Sequence, residues 1–181
     1  MINTVSYLPS NGGVIDFNGG RIDFPQVEML KPSVLTLSCW LNAKTTFGVD
    51  QTNCLGWDGG SQDAYGISLK NAGFLGTQGW RFKIGASELF FSTLMHNTWY
   101  HLTGTCSSSG SQFFVNGSLL VSDITITSIP YNGFGAQRFA IGWDGINYAP
   151  IICGDLRVYN RALSPLEIKQ IFNSTRKRFG V

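Results

Sequence analysis

Isolated carboxylates, two histidines and a few aspartate-flanked tryptophans are the reactive or ligand-gripping side chains of this chain, and their spacing excludes most reactions. Retaining glycoside hydrolysis needs two carboxyl groups about 5 to 5.5 Å apart, which alternate positions of one strand would supply. No Glu-x-Asp-x-x-Glu run or similar series occurs; Glu28, Glu88 and Glu167 stand apart from one another. His96 and His101 flank Trp99-Tyr100, with Ser107, Ser108, Ser109 and Ser111 following. No Gly-x-Ser-x-Gly elbow accompanies them, and scattered serines and histidines do not make a hydrolytic triad. No catalytic residue is assigned, and the expectation is a protein that is not an enzyme.

Glycan binding asks for something else: an exposed aromatic platform beside amide and carboxylate groups. Trp57, Trp80, Trp143 and Tyr148 are the aromatic candidates, with Asp58, Asp144 and Asn147 beside them. The glycan-binding set is therefore Trp57, Asp58, Trp143, Asp144, Asn147 and Tyr148. A core also consumes tryptophans; Trp40 and Trp99 are expected inside, and for Trp57 and Trp143 packing at core or rim is the stronger reading. The runs 55–59 and 141–145 share Gly-Trp-Asp-Gly after an aliphatic residue. Both read as strand-to-loop exits in which Asp-Gly makes the turn, and both exits are expected at one end of the fold.

The elements that must hold these residues are strands. Short runs rich in β-branched and aromatic residues, ended by Gly, Asn, Asp or Ser, recur along the chain. They predict strands at 14–17, 21–24, 35–41, 53–57, 64–69, 80–84, 88–91, 99–105, 112–115, 119–121, 138–142 and 151–159. Asn116-Gly117 between two apolar runs predicts a hairpin, because a type I′ turn needs positive φ at both central residues. Only the end turns helical. Ser164 as N-cap, Pro165 at N1 and Glu167 at N3 form a capping box that opens a helix to about Phe172, with Leu166, Ile168, Ile171 and Phe172 on its buried face. The fold class is all-β, an antiparallel two-sheet jelly-roll sandwich with one short C-terminal helix. Its expected parts are an N-terminal arm at 1–13, the sandwich at 14–173 and a basic tail at 174–181.

Composition supports this. One all-β domain accommodates 181 residues, and a 43% hydrophobic content argues against disorder. Three of the 13 basic residues, Arg176, Lys177 and Arg178, cluster at the end, so the +2 formal charge belongs to the tail and the body is near neutral. Without a broad basic face, no nucleic-acid partner is expected; the tail reads as a solvated end or a partner contact. No apolar run reaches the ~18 residues that span a bilayer, and the first residues lack the charged and apolar regions of a secretory signal. Synthesis in a cytoplasm is expected, without a membrane. Cys39, Cys54, Cys106 and Cys153 allow three disulfide pairings. They lie in apolar, strand-like surroundings and are read as buried free thiols, as a reducing compartment favours.

The order of these pieces resembles the laminin G-like, concanavalin A-like lectin/glucanase superfamily, in its three-part type. The matching stretches are 14–24, 35–41, 64–69, 97–103, 114–117, 141–142 and 154–164, the most specific being Trp-Tyr-His-Leu at 99–102 and Arg-Val-Tyr-Asn-Arg-Ala-Leu-Ser at 157–164. The resemblance implies a strand position for His101, packed rather than catalytic, and architectural roles for Arg157 and Arg161. Relatives often bind calcium through edge loops, which points to Asp58, Asp63 and Asp144, with Asn147 helping, although ordinary turn chemistry explains the same residues. The ending 167–181 is similar to those of structural proteins of tailed bacteriophages of the marine and cyanobacterial type. That likeness implies a virion component on the particle surface, a capsid decoration or cement protein made in the host cytoplasm. Its partner would be the major capsid protein, met through Arg176, Lys177 and Arg178, in a homotrimer. The alternative is a glycan-binding lectin-like module or a host-adhesion protein with a loop-edge site.

Overall fold

The computed structural model describes residues 4–8, 13–25, 28–44, 51–58, 64–71, 78–131, 138–142 and 148–181. Their strands are β1 (Thr4–Leu8), β2 (Val14–Asn18), β3 (Ile22–Pro25), β4 (Leu35–Ala43), β5 (Gln51–Asp58), β6 (Tyr65–Asn71), β7 (Gln78–Ile84), β8 (Ser87–Phe91), β9 (Trp99–Ser107), β10 (Gly110–Val115), β11 (Ser118–Asp123), β12 (Arg138–Ile141) and β13 (Ile151–Tyr159), and the helix α1 spans Pro165–Thr175. Seven strands form one sheet in the order β1-β2-β13-β4-β9-β10-β11, and six form the other in the order β3-β12-β5-β6-β7-β8. Among the described residues the strand pairings are antiparallel, for example β4 with β9 and β5 with β6. The expected two-sheet sandwich is what forms.

Between the sheets, period-two alternation builds the core. Leu35, Leu37, Cys39, Leu41 and Ala43 of β4 face inward, opposite Trp57, Tyr65, Ile67, Trp80 and Phe82 from the second sheet. Gly104 of β9 lies hard against the other sheet: a Cβ there would stand 2.2 Å from the Phe82 ring, and that ring in turn stacks against Phe113 with centroids 6.3 Å apart. The four cysteines are buried and not joined in disulfides. Burial pushes the Cys39 thiol well up and raises Cys153 to about 12.

All nine residues of β4 are buried, so its outward face, Thr36, Ser38, Trp40 and Asn42, must also be covered. The cover is the C-terminal segment. Ser164 accepts from the Glu167 N–H while the Glu167 carboxylate accepts from the Ser164 N–H, completing the predicted capping box. The helix runs three residues beyond the expected end. Ile168 and Phe172 are buried on it, but Leu166 is 68% exposed, because a residue two before Ile168 falls on the other side of a 3.6-residue turn. A 3-10 turn (Arg176–Phe179) follows and ends on Gly180 in the left-handed region. It carries the expected tail back onto the sheet: Phe179 is buried, stacked on Trp40 at 4.5 Å, and Arg178 donates to the Gly13 carbonyl. At the other terminus, Thr4–Leu8 of the expected arm is a paired edge strand.

Asn116 and Gly117 both have positive φ, 52° and 72°, and connect β10 to β11 as the type I′ reading requires. Leu120 is the extra residue of a β-bulge, since Phe113 pairs with Val121 and Phe114 with Leu119. A second bulge interrupts β13, where Gly154 pairs with Trp40 and Arg157 with Ser38. Asp155 within it has a φ of 48°.

Candidate functional site

Strand order decides the fate of the two Gly-Trp-Asp-Gly runs. β5 and β12 are antiparallel neighbours, with Arg138 opposite Asp58 and Ile141 opposite Leu55. The exit from β5 therefore lies beside the start of β12. The exit from β12, where the Gly142 N–H donates to the Cys54 carbonyl, lies four residues back along β5, about 13 Å away at strand rise. The expectation that both exits share one end is thus corrected: antiparallel pairing sends them to opposite ends.

Trp57 is corrected as a ligand platform. It is 1% exposed and belongs to the main core. Tyr131 meets its ring edge-on at 6.2 Å and the Lys31 ammonium lies 5.0 Å from its centroid. The Tyr65 and Tyr131 hydroxyls donate to the Leu30 and Pro32 carbonyls, tying the segment that lies over this corner. Trp80 is equally buried. Tyr148, by contrast, is 41% exposed, at the end of the fold reached by the exit from β12, where Lys44 donates from its backbone to the Pro150 carbonyl. Trp143, Asp144, Asn147, Asp63 and the Asp58 side chain lie outside the described residues, and with them the calcium set. Among the described residues no group of three or more His, Cys, Asp or Glu side chains could hold a metal ion. Arg176, Lys177 and Arg178 are exposed.

The described carboxylates are engaged structurally. Asp16 pairs with Lys44, Asp23 with Arg21, Glu28 with Lys31, and Glu88 with both Lys70 and Arg81. Asp123 accepts from the Thr125 backbone and hydroxyl. Asp155 takes a bidentate fork from Arg157, at 2.9 and 2.8 Å, which holds the bulge in β13. Arg161 pairs with Glu167 at 2.7 Å, and this guanidinium, with the Ser164 N–H and hydroxyl, lowers the Glu167 carboxyl to about 2.

The arrangement that residue types alone do not reveal is the covered face of the seven-stranded sheet. Trp40 lies under Phe172 and Phe179, with ring planes within 24° and 15° of parallel, and its indole N–H donates to the Thr175 hydroxyl at 2.9 Å. Phe179 also meets Trp99 at 4.9 Å. Beside Trp40, His101 is 1% exposed. Its Nε2 lies 3.0 Å from the Ser38 hydroxyl, which accepts a hydrogen bond from Thr103. The ring is thus satisfied at Nε2, while Nδ1 is buried without a hydrogen-bond partner. Burial lowers the His101 pKa to about 4. The spacing of Ile168, Phe172 and Phe179 is the sequence signal for this stripe.

The profile of the concanavalin A-like lectin/glucanases superfamily, in its Laminin_G_3 form, matches residues 16–169. The chain belongs to that family. No curated protein matches its sequence. Among solved structures, the laminin G-like chain is similar to the Trypanosoma rangeli sialidase in complex with an inhibitor, at 19% identity and a TM-score of 0.72, over 93% of this chain and 28% of the sialidase. It is also similar to the botulinum neurotoxin serotype G binding domain, at 12% identity and a TM-score of 0.70, over 95% of this chain and 45% of that one. The binding domain of botulinum neurotoxin DC, solved with rat synaptotagmin II, matches at 16% identity and a TM-score of 0.70, again over 95% and 45%. The laminin G-like chain thus spans less than half of each, and at these identities the likeness is one of fold.

Proposed function

We propose that this laminin G-like chain is a non-enzymatic surface protein of a tailed-bacteriophage particle, a capsid decoration protein that binds the shell through exposed groups of its C-terminal turn. The observation that carries the non-catalytic half is the covered sheet: α1, Phe172 and Phe179 occupy the face over β4 and β9, and the described carboxylates hold structural partners. Among the described residues, rims, strand edges and exposed side chains stay open to contact, the means of a binding protein. The particle half is supported by the likeness of residues 167–181 to virion proteins. Arg176, Lys177 and Arg178 present three cations on a turn fixed by Phe179, and many weak contacts of this kind reinforce a shell collectively. Quantitative mass spectrometry of purified particles tests the reading. Copy numbers in simple proportion to the major capsid protein are expected, and absence from the particle overturns it.

The exposure of Tyr148 favours a second reading, a glycan-binding rim at that end. It is in keeping with fold neighbours solved with sialic acid or described as entering cells through two ganglioside molecules. A glycan array with and without calcium tests it: binding lost in Tyr148→Ala supports the rim, and no binding on a broad array sinks it.

A further inference from the structure

We infer that the segment 165–179 is an acid-released strap, undocked from the outer face of the seven-stranded sheet when His101 is protonated. The geometry that carries this is a separation of cores. Val14, Trp40, Phe172 and Phe179 form their own buried cluster, with Leu8, Trp99 and Ile152 packed at its margin. Phe114, Leu163 and Ile168 form another. Both lie outside the main core between the sheets, so the strap can lift without opening the sandwich.

His101 sits at the centre of the covered face. Its ring contacts Trp40 with centroids 5.2 Å apart and Phe172 at 6.0 Å. The neutral ring fits, since Nε2 and the Ser38 hydroxyl satisfy each other whichever of them donates. The imidazolium carries a proton on each nitrogen, and the one on Nδ1 has no acceptor, because that nitrogen is buried without a partner. The charged groups that bear on the ring are Asp155 and Arg157 of β13, which act in opposite directions and are paired to each other. From the strap, Lys169 lies 5.2 Å from the Phe172 centroid and Arg178 5.2 Å from that of Phe179, adding positive charge to the same cover. Protonation therefore places a cation beneath an aromatic lid that already carries two cations. Lifting the lid hydrates it.

The sign follows from the depressed pKa. A histidine that titrates at about 4 when covered and at about 6.5 when free makes docking strongest above pH 6.5. Docking weakens as the pH falls toward 4, because the uncovered state binds more protons throughout that window. The main core has no part in this titration.

Hydrogen–deuterium exchange on the whole chain at pH 7 and pH 4.5, corrected for intrinsic rates, tests the strap. Protection of amides 168–179 is expected to fall at least tenfold at the lower pH, while amides of β6 and β7 keep theirs. In His101→Gln and His101→Phe, neither of which can take the proton, the pH dependence of 168–179 is expected to vanish. Unchanged protection in the wild-type chain overturns the inference, as does an equal acid loss in either folded variant. Unchanged wild-type protection overturns the inference even if both variants fail to fold.

Discussion

At the residue scale, the start of α1 is held by a capping box whose every interaction lies within four residues. Ser164 and Glu167 satisfy each other's backbone N–H groups, and Pro165 occupies the first helical position, where no donor is needed. Ser164→Ala is expected to lower stability by about 1 kcal/mol, measured by urea unfolding. Glu167 is held charged down to about pH 2, so the contribution of its charge is full above the ordinary carboxylate range and is lost progressively as the pH falls from there through that value. This cap was legible in the sequence, because all its partners are local. His101 was legible to half the same depth. Its strand position followed from the pattern, but Phe172 and Thr103, which define its surroundings, lie 71 residues away and on its own strand respectively, and only the first is beyond the reach of periodicity. Trp57 shows the opposite failure: an Asp-Gly exit marks where a strand ends, not which face the preceding ring occupies.

At the element scale, strand existence could be read from alternation, whereas bulges and coverings could not. Leu120 and Asp155 each insert one residue into a ladder, and nothing in local composition distinguishes an inserted residue from a paired one. The covering of β4 was not foreseen: Trp40 was expected inside, and it is buried instead on the outward face of the strand, beneath a turn more than 130 residues further on. Phe179 is the test of that element. Its ring closes over Trp40 and Trp99, so Phe179→Ala is expected to cost about 3 kcal/mol and to shift tryptophan emission to the red as water reaches Trp40. A stability loss below about 1 kcal/mol would mean that the turn is held by its backbone and not by the stack. The β10–β11 hairpin offers a second check. Gly117 has a φ of 72° and a Cβ added there would stand 3.0 Å from the Phe172 side chain, so Gly117→Ala is expected to destabilise the hairpin and the helix together, by about 1–2 kcal/mol in thermal unfolding.

At the scale of the whole molecule, the separation of parts is what makes function testable. The main core lies between the sheets, and Gly104 leaves no room for a Cβ beside the Phe82 ring in it; Gly104→Ala is expected to lower stability by about 1–3 kcal/mol through overpacking. The exposed cations lie elsewhere, on the far side of the seven-stranded sheet. Arg176 and Lys177 are exposed, whereas Phe179 of the same turn is buried, so charge and packing can be removed independently. The double variant Arg176→Ser, Lys177→Ser is expected to unfold within about 0.5 kcal/mol of the parent chain, because neither side chain is needed to seat the phenylalanine. If these cations meet an acidic shell, the same variant releases the protein from particles at lower salt, since exposed charge pairs are screened beyond about 10 Å at 0.1 M ionic strength. Sedimentation of particles across a salt series reads this directly. Equal retention of variant and parent at every salt concentration would take the C-terminal turn out of the interface and shift the contact to the rims and edges, with stability held constant throughout.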